Sequence, residues 1–274
     1  MSYLSPSQTK QYEDKGYVAP INILNLDEVN KVKDEIEFIE KKWPDEFKGL
    51  GRYNFHYLSP VFDKVVHNSK ILDAVEDIIG QNILVAGTTL FIKEPDKKAF
   101  VSWHQDAKYI GFDPNNFVTA WLALTEANQE NGCMWMWQGS HKKLREHKDQ
   151  FEENNLLTRG QTVENVPKNE TVPIELKPGQ LSLHHPMVVH ASAPNNSNSR
   201  RIGFVIQSYI GSNVNQINGK VYVQQARGND PFKYHEHTDR PVELMNKKIM
   251  EWRNKANREL QEVLYRGATK VRDV

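Results

Sequence analysis

The first third of the chain repeats its apolar residues at helical spacing. Leu26, Val29, Val32, Ile36 and Ile39 recur three and four apart, the interval that lines one face of an α-helix. Asn25 with Glu28 three residues on reads as a capping box, and Pro44 ends the run. Ser5-Pro6 reads as an N-cap followed by proline at the first helical position, with Gly16 as the stop. A short strand-like run, Tyr17 to Ile21, comes next. Ile71, Val75, Ile78 and Ile79 mark a further helix that closes near Gly80. A mainly helical part is expected over 1–82.

Near residue 83 the period changes from helical to strand-like. Ile83 to Ile92, Val101 to His104, Phe117 to Leu124 and Cys133 to Trp137 are rich in β-branched and aromatic residues. Thr171 to Leu176, Gln180 to His184, Arg201 to Ile210 and Lys220 to Val223 read the same way. Turn signals such as Pro95-Asp96, Pro114-Asn115-Asn116, Pro178-Gly179 and Pro194-Asn195-Asn196 separate them. Many short strands in series predict a β-sandwich or barrel over 83–226, with the helices packed outside it. The charged segment 142–168 interrupts the strands, either as a lid-like insert or as a solvated excursion carrying a helix. From Pro241 to Tyr265, Leu244, Trp252, Ala256, Leu260 and Leu264 fall roughly on one face, so a C-terminal helix over 240–265 is expected to pack on the sheet.

Composition narrows the function. The chain of 274 residues carries 35 basic and 35 acidic side chains, with no basic stripe of the kind nucleic-acid binders show. No linker divides it, so a single domain over 1–274 is expected. No apolar run reaches a membrane span, and the start from Met1 to Pro6 lacks the basic and apolar regions of a secretory leader. Cys133 is the only cysteine, which favours a reducing, cytoplasmic setting.

Three His-x-Asp pairs occur: His104/Asp106, His147/Asp149 and His237/Asp239. His147 lies in a charged run that reads as a solvated helical face, and His237 in a polar run without strand character. Only His104 leaves an apolar strand, where residues two apart point to the same side. His190 ends a second apolar run downstream. Two histidines and one carboxylate form the facial triad of non-haem iron oxygenases and leave three iron positions open. A 2-oxo acid takes two of these and dioxygen the last. The far carboxylate of such a co-substrate needs a planar, bidentate cation, and Arg201 opens the strand eleven residues after His190. Two antiparallel strands joined by that turn are expected to set His190 and Arg201 side by side.

At these residues the chain resembles the phytanoyl-CoA dioxygenase family of iron(II)- and 2-oxoglutarate-dependent oxygenases. The matching stretches are Trp103-His104-Gln105-Asp106, Ala120 to Leu124, Asn131-Gly132-Cys133, Gly139 to Lys142, Pro178-Gly179, and His190 to Asn195 leading to Arg200-Arg201. The resemblance implies a double-stranded β-helix, or jelly-roll, of the α+β class. It implies iron(II) on His104, Asp106 and His190, and 2-oxoglutarate on Arg201 and Ser192, with Gln105, Trp121 and the strand around Leu90 lining its pocket. It implies oxidation of a C–H bond by dioxygen, with succinate and carbon dioxide released. Related halogenases have Gly or Ala at the carboxylate position, so Asp106 points to hydroxylation of a small metabolite or natural-product intermediate. Desaturation, ring formation and fragment loss are the other outcomes of this chemistry. Lys108 and Tyr109, directly after the metal motif, and Trp137, which alternates with Met134 and Met136, are candidate substrate contacts; Arg52 and Arg227 are candidates by charge alone. Two other readings use the same fold: a cupin-like metalloenzyme that does not use 2-oxoglutarate, and a non-catalytic jelly-roll ligand-binding module.

Overall fold

In the computed structural model, which describes residues 2–272, the caps read in the sequence start the helices they precede. Met1, part of the start read above for a leader, and residues 273–274, at the end of the expected 1–274 domain, lie outside the described residues. The helices are α1 (Pro6–Lys15), α2 (Leu26–Lys42), α3 (Pro60–Val66), α4 (Ser69–Ile79), the single-turn α5 (Ala107–Ile110) and α6 (Lys247–Tyr265). Asn25 Oδ1 accepts from Glu28 N at 2.9 Å, and Glu28 Oε2 accepts from Asn25 N at 2.9 Å, which satisfies two of the free donors at the start of α2. Val29, Val32, Ile36 and Ile39 of α2 are buried as their spacing predicts, at about 1.5–3 kcal/mol each. The C-terminal helix begins later than expected, because Asn246 supplies its cap by accepting from Ile249 N.

The strands are β1 (Tyr17–Asn22), β2 (Ile83–Lys93), β3 (Val101–His104), β4 (Phe112–Asp113), β5 (Phe117–Ala123), β6 (Met134–Trp137), β7 (Lys148–Asp149) and β8 (Gln161–Thr162). They continue with β9 (Thr171–Ile174), β10 (Gln180–His184), β11 (His190–Ser192), β12 (Arg201–Gly211), β13 (Asn215–Gln216), β14 (Tyr222–Arg227) and β15 (Glu236–His237). A seven-stranded sheet has the order β1-β10-β5-β12-β2-β14-β15, and a four-stranded sheet the order β3-β11-β6-β9. From β2 to β12 the chain passes back and forth between the two, which makes a jelly-roll sandwich.

The period-2 pattern of the large sheet separates two cores. Leu90, Ala120, Leu122, Phe204 and Ile206 face the helices, together with the buried residues of α2 and α4. Their neighbours Trp121, Ala123 and Val205 face the small sheet, where Met134 and Met136 meet them.

Three expectations are corrected. His190 and Arg201 are not strand neighbours: β11 pairs with β3 and β6, whereas β12 pairs with β2 and β5 in the opposite sheet. The turn between them changes sheets instead of making a hairpin. Segment 142–168 contains no α-helix; its regular parts are the short pair β7/β8 and single turns at its ends. His147, read as solvated, is packed against the metal motif, where its Nε2 accepts from Gln105 N at 2.9 Å and burial pushes the imidazole down to about 4.

Candidate metal centre and its cavity

Strand β3 delivers His104 at its last residue and β11 delivers His190 at its first. The register pairs the two directly, so both rings project to the same side with centroids 4.1 Å apart. Asp106 follows where β3 has ended. Its Oδ1 lies 3.3 Å from His104 Nε2 and 3.9 Å from His190 Nε2, and the three donor atoms lie within 4.8 Å of one another. His104 Nδ1 is 2.9 Å from the Ser102 carbonyl and His190 Nδ1 is 3.1 Å from the Val188 carbonyl. A carbonyl accepts, so each Nδ1 carries the proton and each Nε2 lone pair faces the triad. Burial and the neighbouring His104 push His190 down to about 3, which keeps it neutral and able to ligate. Thr119 Oγ1 stands 3.0 Å from Asp106 Oδ2, fixing the carboxylate from behind. Two imidazoles and a carboxylate on one side of an open space suit iron(II) and leave its remaining positions clear.

The triad opens on a cavity of about 70 Å³ whose other wall belongs to the large sheet. Arg201, Trp121, Ser192, Phe91 and His184 line it. Arg201 is 1% exposed, and among the described residues no acceptor meets its guanidinium. Burial pushes it down to about 10. Its neighbour Arg200 takes the opposite face, paired with Glu40 at 2.8 Å and Glu94 at 2.7 Å. The Trp121 ring lies 5.2 Å from the Arg201 guanidinium carbon. Gly203 makes room for that ring, since a Cβ there would come 2.2 Å from Trp121 Cζ2. An enclosed, unpaired guanidinium beside an aromatic wall fits the distal carboxylate of 2-oxoglutarate.

The remaining expected contacts divide. Ser192 lines the cavity, with its Oγ accepting from Lys93 Nζ at 2.7 Å. Gln105 does not line it: its carboxamide donates to the Lys143 and Met187 carbonyls and accepts from Arg145 N. Leu90 is also misplaced by one residue; it faces the helical layer, and Phe91 takes the cavity side. Tyr109 lines a second chamber of about 70 Å³ that shares His104 and Asp106 with the first. Lys108 is exposed and lines no described cavity. Trp137 faces outward, because Met134 and Met136 take the inward positions; its Nε1 donates to Glu170 at 2.7 Å and Arg145 stacks on its ring. Arg227 pairs with Asp73 and Glu76, away from the centre, and Arg52 lines neither chamber. The other His-x-Asp pairs are not pairs at all: Asp149 binds Arg159, and His237 binds Asp230.

Two residues were missed. His184 is 1% exposed with both ring nitrogens unpartnered, and its Nε2 lies 3.7 Å from Asp106 Oδ2. Its position at the end of β10, opposite Thr119, was the available signal. Lys93, directly opposite Arg201, donates to Ser192 O, Ser192 Oγ and Ala193 O, and burial with the adjacent Arg201 pushes it down to about 6. A lysine ending an apolar strand was its signal.

Residues 12–203 match the family profile described as "Phytanoyl-CoA dioxygenase (PhyH)", about 70% of the chain. The chain belongs to the phytanoyl-CoA dioxygenase family. It is a non-haem oxygenase that depends on iron(II), 2-oxoglutarate and dioxygen. One relative is the "Probable alpha-ketoglutarate-dependent hypophosphite dioxygenase" of Stutzerimonas stutzeri, 29% identical over 214 residues, 71% of this chain and 74% of that protein. Another is the "Phytanoyl-CoA dioxygenase, peroxisomal" of Bos taurus, 27% identical over 228 residues, 72% of this chain and 66% of that protein. Among solved structures, the "non-heme monooxygenase; ThoJ apo" superposes with a TM-score of 0.82 at 27% identity, covering 94% of this chain and 97% of that one.

Proposed function

We propose that this chain hydroxylates an unactivated C–H bond of a small molecule, with His104, Asp106 and His190 as the iron ligands and Arg201 as the anchor of 2-oxoglutarate. When bound, the iron and 2-oxoglutarate supply the oxidising chemistry: dioxygen is consumed, succinate and carbon dioxide leave, and the substrate gains a hydroxyl group. The protein's part is placement. The Ser102 and Val188 carbonyls fix the imidazole tautomers, and Thr119 fixes the carboxylate. Arg201 receives the distal carboxylate, Trp121 flanks it, and Lys93 holds Ser192 against the same wall. Asp106 fills the ligand position that a halide would need, which favours hydroxylation.

The observation that carries this reading is Arg201, a buried cation without an acceptor that faces the same cavity as the triad. A metalloenzyme that does not use 2-oxoglutarate, or a silent binding module, has no use for it. Residues 1–274 act as one unit on this reading, because the N-terminal helices share a core with the sheet that carries Arg201. No described helix is long and apolar enough to cross a membrane. Cys133, the only cysteine in the sequence, is buried, and a chain without a disulfide pair suits a reducing, cytoplasmic setting. The test is an anaerobic titration of the iron(II) protein with 2-oxoglutarate, watched for the visible charge-transfer band of a chelated 2-oxo acid. A saturable band is expected. Bound iron without a band would refute the reading.

A further inference from the structure

The second chamber is lined by His104 and Asp106 but not by Arg201. It shares His104, Asp106, Phe91, Leu157 and Gln207 with the first and extends under a roof of three elements. Helix α5 gives Tyr109 and Ile110, the 142–168 segment gives Leu156, Leu157 and Thr158, and helix α6 gives Leu260 and Leu264. One residue clasps all three. Arg159, 8% exposed, donates to Asp149 and to the Leu264 and Arg266 carbonyls, and its guanidinium lies 4.7 Å from the Tyr109 ring centre. Tyr109 in turn donates to Asp149 at 3.2 Å, and Tyr265 donates to the Thr158 carbonyl at 3.0 Å.

The chemistry of the lining is one-sided. Among its residues the only carboxylate is Asp106, and there is no lysine or arginine. Arg201, which has no acceptor among the described residues, lines the first chamber and not the second, and is taken by 2-oxoglutarate in the reading above. Iron(II) at the shared edge would already be balanced by Asp106 and 2-oxoglutarate, so a charged substrate group entering the second chamber would lose its water and find no further counter-ion among the lining side chains. Uncharged polar groups do have partners. Ser208, Tyr53 and Gln207 line the chamber, and Ser208 Oγ, Tyr53 Oη and Gln207 Nε2 make no hydrogen bond to another described residue, while Gln207 Oε1 is held by Thr89 at 2.6 Å.

We propose that this chamber receives the reacting end of the substrate, and that this end is an uncharged, largely apolar group carrying one hydrogen-bonding function. An anionic reacting end, such as a carboxylate or a phosphorus oxyanion, is rejected. The inference rests on the oxygenase reading above and adds the substrate class to it.

Trifluoroacetamide and trifluoroacetate have nearly the same shape and differ in charge. Each is titrated into the protein with iron(II) and saturating 2-oxoglutarate, without oxygen, and read by fluorine NMR line broadening while the visible band is recorded on the same sample. The amide is expected to bind, and the acetate to bind at least about tenfold more weakly, the factor for ~1.4 kcal/mol. Leu260→Trp fills the chamber and is expected to abolish amide binding while the band stays. Leu264→Lys, at a half-exposed position, supplies the missing cation and is expected to gain acetate binding. Equal or tighter binding of the acetate to the wild-type protein overturns the proposal. So does failure of the amide to bind, or amide binding that Leu260→Trp leaves intact. Absence of the band with iron bound defeats the oxygenase reading instead, and the fluorine spectrum still reports separately on the chamber.

Discussion

Replacing Arg201 with methionine should move two measurements in opposite directions. The guanidinium is buried without an acceptor, and burial pushes it from its ordinary 12.5 to about 10. One pKa unit is worth ~1.4 kcal/mol, so holding the charge there costs the ligand-free fold ~3 kcal/mol. The sign is that of a base with a depressed pKa. The cost is present in full below about pH 10 and relaxes only above it, so it stands at neutral pH. Methionine fills a similar volume without charge, and the ligand-free Arg201→Met protein should be more stable than wild type by roughly 1–3 kcal/mol in urea denaturation. Binding should change the other way. Two charge-assisted hydrogen bonds to the distal carboxylate, at about 1.5–3 kcal/mol each, disappear. The affinity for 2-oxoglutarate should fall by roughly 10²–10⁴-fold in the anaerobic titration. Wild type should gain stability with 2-oxoglutarate by linkage, and the variant should not. A variant that binds 2-oxoglutarate as wild type does would refute the anchor. A ligand-free variant that is strongly destabilised would show that Arg201 has a structural partner instead.

Thr119→Val removes the hydroxyl facing Asp106 Oδ2 and keeps the shape; iron(II) affinity should drop by about tenfold, and an unchanged value in a metal competition assay would mean the carboxylate needs no such support. Gly203→Ala drives a Cβ into the Trp121 ring, so the protein should lose about 1–3 kcal/mol in urea and bind 2-oxoglutarate more weakly; if neither changes, the ring is not fixed where it lies. His56 is buried beside Thr88 with its Nε2 unpartnered, and burial pushes it down to about 3. The unfolded chain takes up a proton there as pH falls below about 6.5 while the fold does not, so stability should decline from pH 6.5 toward 4 by up to ~1.4 kcal/mol per pH unit from this group. His56→Gln should flatten that slope, and an unaltered slope would assign the acid loss to other groups.

Much of the fold was legible because burial has a period. The α2 face, its cap and the long strands β2, β5 and β12 each follow from spacing within one segment. What spacing does not carry is the identity of the partner strand. The turn from His190 to Arg201 has the residues of a hairpin, yet the chain leaves the small sheet there and enters the large one. A β-turn signature says that the direction reverses and leaves the pairing open. In a sandwich the choice is made by the inner faces: Ser192 and Val205 both cover the space around the triad, so opposing sheets bring β11 and β12 to one cavity without a shared hydrogen bond.

The same argument separates the readable part of the site from the rest. His104, Asp106, His190 and Arg201, which the structure brings to one cavity, were legible because each stands at or just beyond a strand end with a chemistry its neighbours do not explain. Leu90 and Gln105 failed on parity and on satisfaction. One step along β2 exchanges Leu90 for Phe91 and the helical core for the cavity, and Gln105, next to two site residues, spends its amide on three backbone groups. His147 failed for a longer-range reason. Its local sequence is charged, and only the packing of the 142–168 segment against β3 places it behind the metal motif. That segment and α6 meet over the second chamber through Arg159, whose partners lie 10 and more than 100 residues away. Arg159 has no local pattern to give it away, because every group that defines its role comes from another element. The proposed ligand set can therefore be read from short motifs. The proposed substrate chamber cannot, since it exists only where three unrelated segments close on one another.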